Sequence, residues 1–260
     1  MKLRSLLHYV TDLEKSVEFY KEALGSKEVN RQNIEFHGEE YEIVSLSDGE
    51  METLVQLVSK TEGEIPERDL GENEVHHCYV AKNYEETFQK HKDMEVVIYE
   101  NVDMGLYFIV DPDNHWIEVV PDRKDRFTDG PEYALVHYNR NIQTLERADQ
   151  FYTQFLGLEP SSERESGDKS FILKFVKDKV TGFEVELTYL VDHKDTPYNV
   201  GDSLDTLIFE TDQDLSDLAQ TARSRDYQVE ELILHYNNQD ILFLAVLDPD
   251  GYRNFIFYTN

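Results

Sequence analysis

Apolar positions along the chain follow two periods in alternation. In DLEKSVEFYKEALG, residues 12–25, Leu13, Val17, Tyr20 and Leu24 recur at helical spacing and make one apolar stripe. The spacing predicts a helix, with Thr11 and Glu14 as a capping box and Gly25 as the C-terminal cap. A short apolar strand precedes it. The pattern returns in TLERADQFYTQFLG, residues 144–157, where Phe151-Tyr152 matches Phe19-Tyr20 at an offset of 132. Leu156-Gly157 matches Leu24-Gly25 at the same offset.

A second pair of segments also repeats. DPDNHWIEVV, residues 111–120, matches DPDGYRNFIFYT, residues 248–259, and each follows an apolar run, GLYFIV or ILFLAVL. Asp-Pro-Asp-Asn and Asp-Pro-Asp-Gly are strong turn formers, so each segment predicts a β-hairpin. Further strand-to-helix openings lie at EVHHCYV (74–80) with YEETFQKHK (84–92), and at LDTLIFET (204–211) with a helix over about 214–225.

Two copies of one unit follow from this repetition. The expected architecture is α+β, with four β-α-β-β-β modules forming cupped mixed sheets and helices outside. The modules span about 1–60 and 72–123 in an N-terminal domain (1–123), and about 131–192 and 202–260 in a C-terminal domain (131–260). The seam lies in PDRKDRFTDG, 121–130, and each half is expected to carry its own curved sheet.

Composition narrows the partners more than the fold. Of 260 residues, 40% are apolar and 30% charged, enough for a core in each half. The net charge is −29, which would repel phosphate backbones, so nucleic acid and anionic membranes are poor partners. No apolar run approaches the length of a membrane span, and the first residues lack a secretory apolar region. Cys78 is the single cysteine, which excludes an internal disulfide and a Cys-based zinc site and makes a reducing cytoplasm the expected compartment.

The 12–25 helix, the VELTY strand at 185–189 and the two Asp-Pro-Asp hairpins resemble, in order and twice over, the vicinal oxygen chelate superfamily. That group includes glyoxalase I, extradiol ring-cleaving dioxygenases, and fosfomycin- and bleomycin-resistance proteins. The resemblance covers nearly the whole chain and implies a divalent metal held in a cup by His, Glu, His and Glu.

Carried onto this sequence, the ligand positions are Ser5, Gln56, His76 and Glu118 in the first half, and His137, Glu186, Thr206 and Phe255 in the second. Neither half holds a full set. In homodimeric glyoxalase I the site spans two subunits, so the resemblance implies one site from His76, Glu118, His137 and Glu186. It also implies a complementary site without metal from Ser5, Gln56, Thr206 and Phe255. The chain thus resembles a fused dimer in which a monomer suffices for the site, and a homodimer through another surface stays open.

Two imidazoles and two carboxylates suit one divalent Zn, Ni, Fe, Co or Mn ion. The implied reaction is that of a glyoxalase I-like lyase/isomerase. Its small-molecule substrate would be the hemithioacetal of a 2-oxoaldehyde with a thiol co-substrate, and Glu118 and Glu186 would be the catalytic carboxylates. An extradiol-type Fe(II) dioxygenase and a non-catalytic small-molecule-binding or structural relative are the alternatives. The Arg that meets the thiol's carboxylate in glyoxalase I falls at Asn141, with Arg140 adjacent. His77 points away from the face of His76, and His8 has the wrong parity relative to Ser5, so both read as structural. Cys78 shares the face of His76 and reads as a small buried residue.

Overall fold

The computed structural model describes residues 1–49, 53–63, 71, 75–123, 130, 132–193, 196–201 and 206–259. Four modules of one plan fill it. The first contains β1 (Lys2–Tyr9), α1 (Leu13–Leu24), β2 (Lys27–Phe36), β3 (Glu39–Ser47) and β4 (Leu54–Lys60). The second contains β5 (His76–Ala81), α2 (Tyr84–Asp93), β6 (Val97–Asn101), β7 (Leu106–Val110) and β8 (Trp116–Pro121). The third contains β9 (Tyr133–Ile142), α3 (Leu145–Asp149), β10 (Glu159–Glu165), β11 (Phe171–Lys177) and β12 (Glu184–Leu190). The last contains β13 (Thr206–Thr211), α4 (Leu215–Ser224), β14 (Val229–Tyr236), β15 (Gln239–Leu247) and β16 (Arg253–Tyr258).

The modules pair across the halves, which corrects the expectation of one sheet per half. The first and last modules make a closed barrel, β1-β13-β16-β15-β14-β2-β3-β4. The two middle modules make an eight-stranded open sheet, β10-β11-β12-β9-β5-β8-β7-β6. The opening strands set this partition: β1 lies antiparallel to β13, and β5 antiparallel to β9. Residues 124–129 and 131, which include most of the expected seam, lie outside the described residues, as do 72–74 and 202–205.

Helix α1 forms where the apolar stripe predicts, and buries Leu13, Val17, Tyr20 and Leu24. Its cap is Asp12, not Thr11: the Asp12 side chain accepts from the Lys15 N–H. Thr11 is drawn off by Asp113 of the first Asp-Pro-Asp hairpin, whose Oδ1 accepts from the Thr11 N–H (2.9 Å) and hydroxyl (2.6 Å). Gly25 ends the helix at φ 63, as expected.

The matching helix at 144–157 is not one α-helix. After α3 the chain widens into a π-helical stretch over Gln150–Phe155, marked by the Leu156 N–H donating to the Phe151 carbonyl. Phe151, Tyr152 and Phe155 are buried there, so the apolar stripe survives the change of winding.

One large core joins both sheets and the helices, including Leu6 and Leu57 of the barrel, Ile117 and Leu187 of the open sheet, and Tyr20 and Phe151 of the helices. Two buried polar clusters sit in the same junction. In the first, His8 packs against His77 and His115, and Asp111 accepts from Tyr20 and His115. In the second, Arg140, fully buried, donates to the Tyr152 hydroxyl (2.8 Å), Asn254 Oδ1 (2.9 Å) and the Arg253 carbonyl (3.0 Å). Tyr152 in turn donates to Asp248 at 2.5 Å. The first Asp of each Asp-Pro-Asp motif thus anchors a junction, and the third reaches the loop before a helix: Asp250 accepts from the Gln143 N–H at 3.0 Å.

Candidate metal centre

The open sheet brings the four expected ligands to its middle strands, one on each of β5, β8, β9 and β12. β5 lies between β8, its parallel neighbour, and β9, its antiparallel neighbour. In register, Cys78 stands beside both Glu118 and His137, so these three share a face, and His76 shares it two residues away.

A β-bulge aims His137 at that face. Cys78 pairs with His137, but Tyr79 pairs with Leu135, so Val136 is the extra residue. Without it, His137 and Ala134 would face opposite ways. The bulge takes the Leu135 N–H out of the ladder, and Asp48 Oδ2 from the end of β3 accepts it at 2.7 Å. The barrel repeats the device: Arg4 is the extra residue between Leu3 and Ser5, and Asp178 Oδ2 accepts from the Leu3 N–H at 2.8 Å.

The potential ligand atoms of His76, Glu118 and His137 all lie within 4.8 Å of one another. Glu118 Oε2 is 3.8 Å from His76 Nε2 and 3.3 Å from His137 Nε2. Glu186 joins through His137, with its Oε2 3.3 Å from the same Nε2. Its other oxygen, Oε1, accepts from Asn139 Nδ2 (3.1 Å) and from the Thr188 hydroxyl (2.9 Å). These bonds leave Oε2 turned toward the histidine. Phe108 and Phe175 pack edge-on against His76 and His137, and fix the ring planes.

The donor set fits a divalent cation. His137 Nε2 is buried between two carboxylates without a hydrogen bond of good geometry, the position of a ligand atom waiting for a cation. Burial opposes ionisation of Glu118, yet His137, His76 and Cys78 outweigh it and hold the carboxyl down to about 2. Burial likewise opposes protonation of His137, and Glu118 and Glu186 reverse that effect and raise its pKa.

His8 and His77 are buried in the junction, as their parity predicts, and Cys78 is buried beside the ligands. Arg140 is committed to Tyr152, Asn254 and Asp248 and does not reach the ligand cluster. Sequence reasoning missed Asn139 and Thr188. The signal for them was the parallel pairing of β12 with β9, which sets Asn139 opposite Glu186. In the barrel, Ser5 and Gln56 are bonded to each other (2.9 Å), and Phe255 occupies the position matching Glu118.

The comparisons agree on the fold. Glyoxalase I from Zea mays shares 17% identity with the chain and superposes with a TM-score of 0.78, covering 99% of this chain and 92% of that one. A V278E mutant of the same enzyme gives 0.79 at 17% identity, over 99% and 92%. A putative dioxygenase from Bacillus subtilis gives 0.68 at 14% identity, over 99% of this chain and 85% of that one. Among curated proteins, none matches the sequence. No helix among the described residues is long and apolar enough to cross a membrane. Both halves match one family, over residues 2–119 and 134–256, and the chain belongs to the Glyoxalase/Bleomycin resistance protein/Dioxygenase superfamily.

Proposed function

We propose that the chain is a divalent-metal-dependent, glyoxalase I-like lyase/isomerase acting on the hemithioacetal of a 2-oxoaldehyde and a thiol. The observation that carries this reading is His137 Nε2 set between Glu118 and Glu186, with His76 completing the cluster. His76, Glu118, His137 and Glu186 would hold the ion. A bound ion would supply Lewis-acid polarisation of the substrate oxygens.

The two carboxylates are not equivalent. Glu186 has one oxygen tied by Asn139 and Thr188, whereas Glu118 stands between both histidines, with Oε2 3.8 Å from His76 Nε2 and 3.3 Å from His137 Nε2. Glu118 is the proton carrier in this proposal: it takes the proton from substrate C1 and returns it to C2, while the hydroxyl proton on the C1 oxygen passes to the C2 oxygen, so that C1 ends as the thioester carbonyl and C2 carries the hydroxyl. One C–H bond breaks and another forms, so the step is a redox-neutral isomerisation that yields an S-2-hydroxyacyl thiol. Glu186 orients His137 and balances charge.

A second reading has its own support. His76, His137 and Glu118 make a two-histidine, one-carboxylate set, the donor pattern of non-haem Fe(II) oxygenases. One experiment separates the two. Metal content is measured for the wild type, His76→Ala and His137→Ala, and the metal-loaded wild type is given methylglyoxal with several thiols and, separately, catechols. One equivalent of metal, lost in both variants, with thioester formation that Glu118→Gln abolishes, is expected. Oxygen uptake with catechols would replace the isomerase by a dioxygenase. Absence of metal from reloaded wild type would overturn both.

A further inference from the structure

The two sheets share one plan but end differently. Among the described residues the open sheet ends at β10 and β6, whereas β14 pairs with β2 through Leu234–Phe36 and His235–Glu35 and closes the other sheet into a barrel. An eight-stranded barrel has room either for side chains that fill it or for one small ligand. Here the side chains do not fill it: the barrel holds a cavity of about 620 Å³ that is partly open to solvent.

The lining explains the void. Leu7, Tyr9, Ile43 and Val58 form one apolar cluster, and Leu232, Phe243 and Ala245 form another. The two are separate, and Phe255 packs against both. Phe255 stands where the other sheet carries Glu118, and Ser5 stands where it carries His137. Deep in the cup, Ser5 donates to Gln56 Oε1 (2.9 Å) and Gln56 donates to Ser45 (3.1 Å), so the polar groups there are neutral and bonded to one another.

Charge sits at the border and is balanced. Arg4 pairs with Glu210 at 3.0 Å, and Arg253 and Glu230 are exposed. Phe36, Ile208, Phe255 and Phe257 are only partly buried although they face the interior. Water against such a wall is unfavourable, and an apolar molecule that displaces it gains binding energy. The absence of net border charge selects against ions, and the aromatic walls favour a ring.

We infer that the barrel interior is a metal-free binding site for an uncharged, ring-bearing apolar small molecule, separate from the metal centre. The cavity volume suits a ligand of ordinary drug-like size. The inference does not depend on which reaction the open sheet performs.

The test uses the full chain and the uncharged fluorescent probe N-phenyl-1-naphthylamine. Saturable enhancement at one probe per chain is expected, and Ile208→Trp, which fills the cavity, should weaken it tenfold or more. His137→Ala should bind the probe as wild type does. Hydrogen exchange locates the probe without any variant: protection is expected over residues 32–43 and 230–243. Lack of saturable binding, protection over 76–80 and 106–118 instead, or unchanged affinity in folded Ile208→Trp would each overturn the inference.

Discussion

Replacing Asp48 by Ala tests whether the metal centre depends on a residue that never touches it. Asp48 is buried, 6% exposed, and its Oδ2 accepts from the Leu135 N–H at 2.7 Å, the donor that the β9 bulge removes from the ladder. The variant leaves a buried N–H without a partner, which costs about 1–3 kcal/mol. The chain can recover part of that only by letting the bulge slide, and a slide of one residue turns His137 to the opposite face. Metal affinity should therefore fall by about tenfold or more, as for other partners that orient a ligand.

The barrel supplies the control. Asp178→Ala breaks the matching bond to the Leu3 N–H (2.8 Å), at a bulge that aims no metal ligand, together with the bonds its Oδ1 accepts from the Val180 (2.7 Å) and Thr181 (2.8 Å) N–H groups. Urea unfolding should show both variants destabilised, each by at least about 1–3 kcal/mol. Calorimetric titration with Zn or Ni should show weakened binding in Asp48→Ala alone. Equal metal affinity in the two variants would refute the argument that the bulge aims His137, and a stability loss below about 0.5 kcal/mol in both would refute the role of the carboxylates.

Two further outcomes follow from the same geometry. Burial, with Asp248 nearby, pushes Asp250 up from 3.8 to about 6, so its ionisation is harder in the folded chain. Its favourable contribution is present below the unfolded value and lost as pH rises through about 6; Asp250→Asn, which keeps an acceptor for Gln143, should gain about 1–3 kcal/mol over wild type at pH 7.5 and almost none at pH 3.5. A difference in urea midpoint that stays flat across that range would contradict the assignment. Thr188→Val removes the hydroxyl that donates to Glu186 Oε1 (2.9 Å) and accepts from Asn139 (2.7 Å); metal should bind about 10–100-fold more weakly with little change in thermal midpoint, and unchanged binding would show that Glu186 needs no such support.

The repeats made much of this visible in the sequence. The stripe Leu13, Val17, Tyr20 and Leu24 marks α1 because its period is set by the helix itself, and Asp-Pro-Asp marks the hairpins because its turn chemistry is local. The grouping of His76 and Glu118 with His137 and Glu186 came from the family resemblance carried onto the two halves, and the open sheet brings these four side chains onto neighbouring strands. What escaped is non-local. Thr11 reads as a cap until a hairpin about a hundred residues away takes its hydrogen-bonding groups. The bulge at Val136 shifts side-chain parity without any glycine or proline to announce it. Closure of one sheet and not the other rests on two residue pairs between β2 and β14, too few to leave a periodic signature.

The order of the modules has a consequence for assembly. The strands of the open sheet come from one uninterrupted stretch, His76 to Leu190, while the barrel joins the two ends of the chain through pairs such as Leu7 with Thr206. Contacts between neighbouring modules close short loops, and those between the ends must hold nearly two hundred residues together at greater entropic cost. The metal-ligand strands can therefore meet first, with the barrel clasping around the shared core last. A chain emerging N-terminus first would hold its opening module unpartnered until the final module arrives. Strand β1, most of whose side chains are buried in the finished fold, is then a segment exposed to wrong pairing during synthesis.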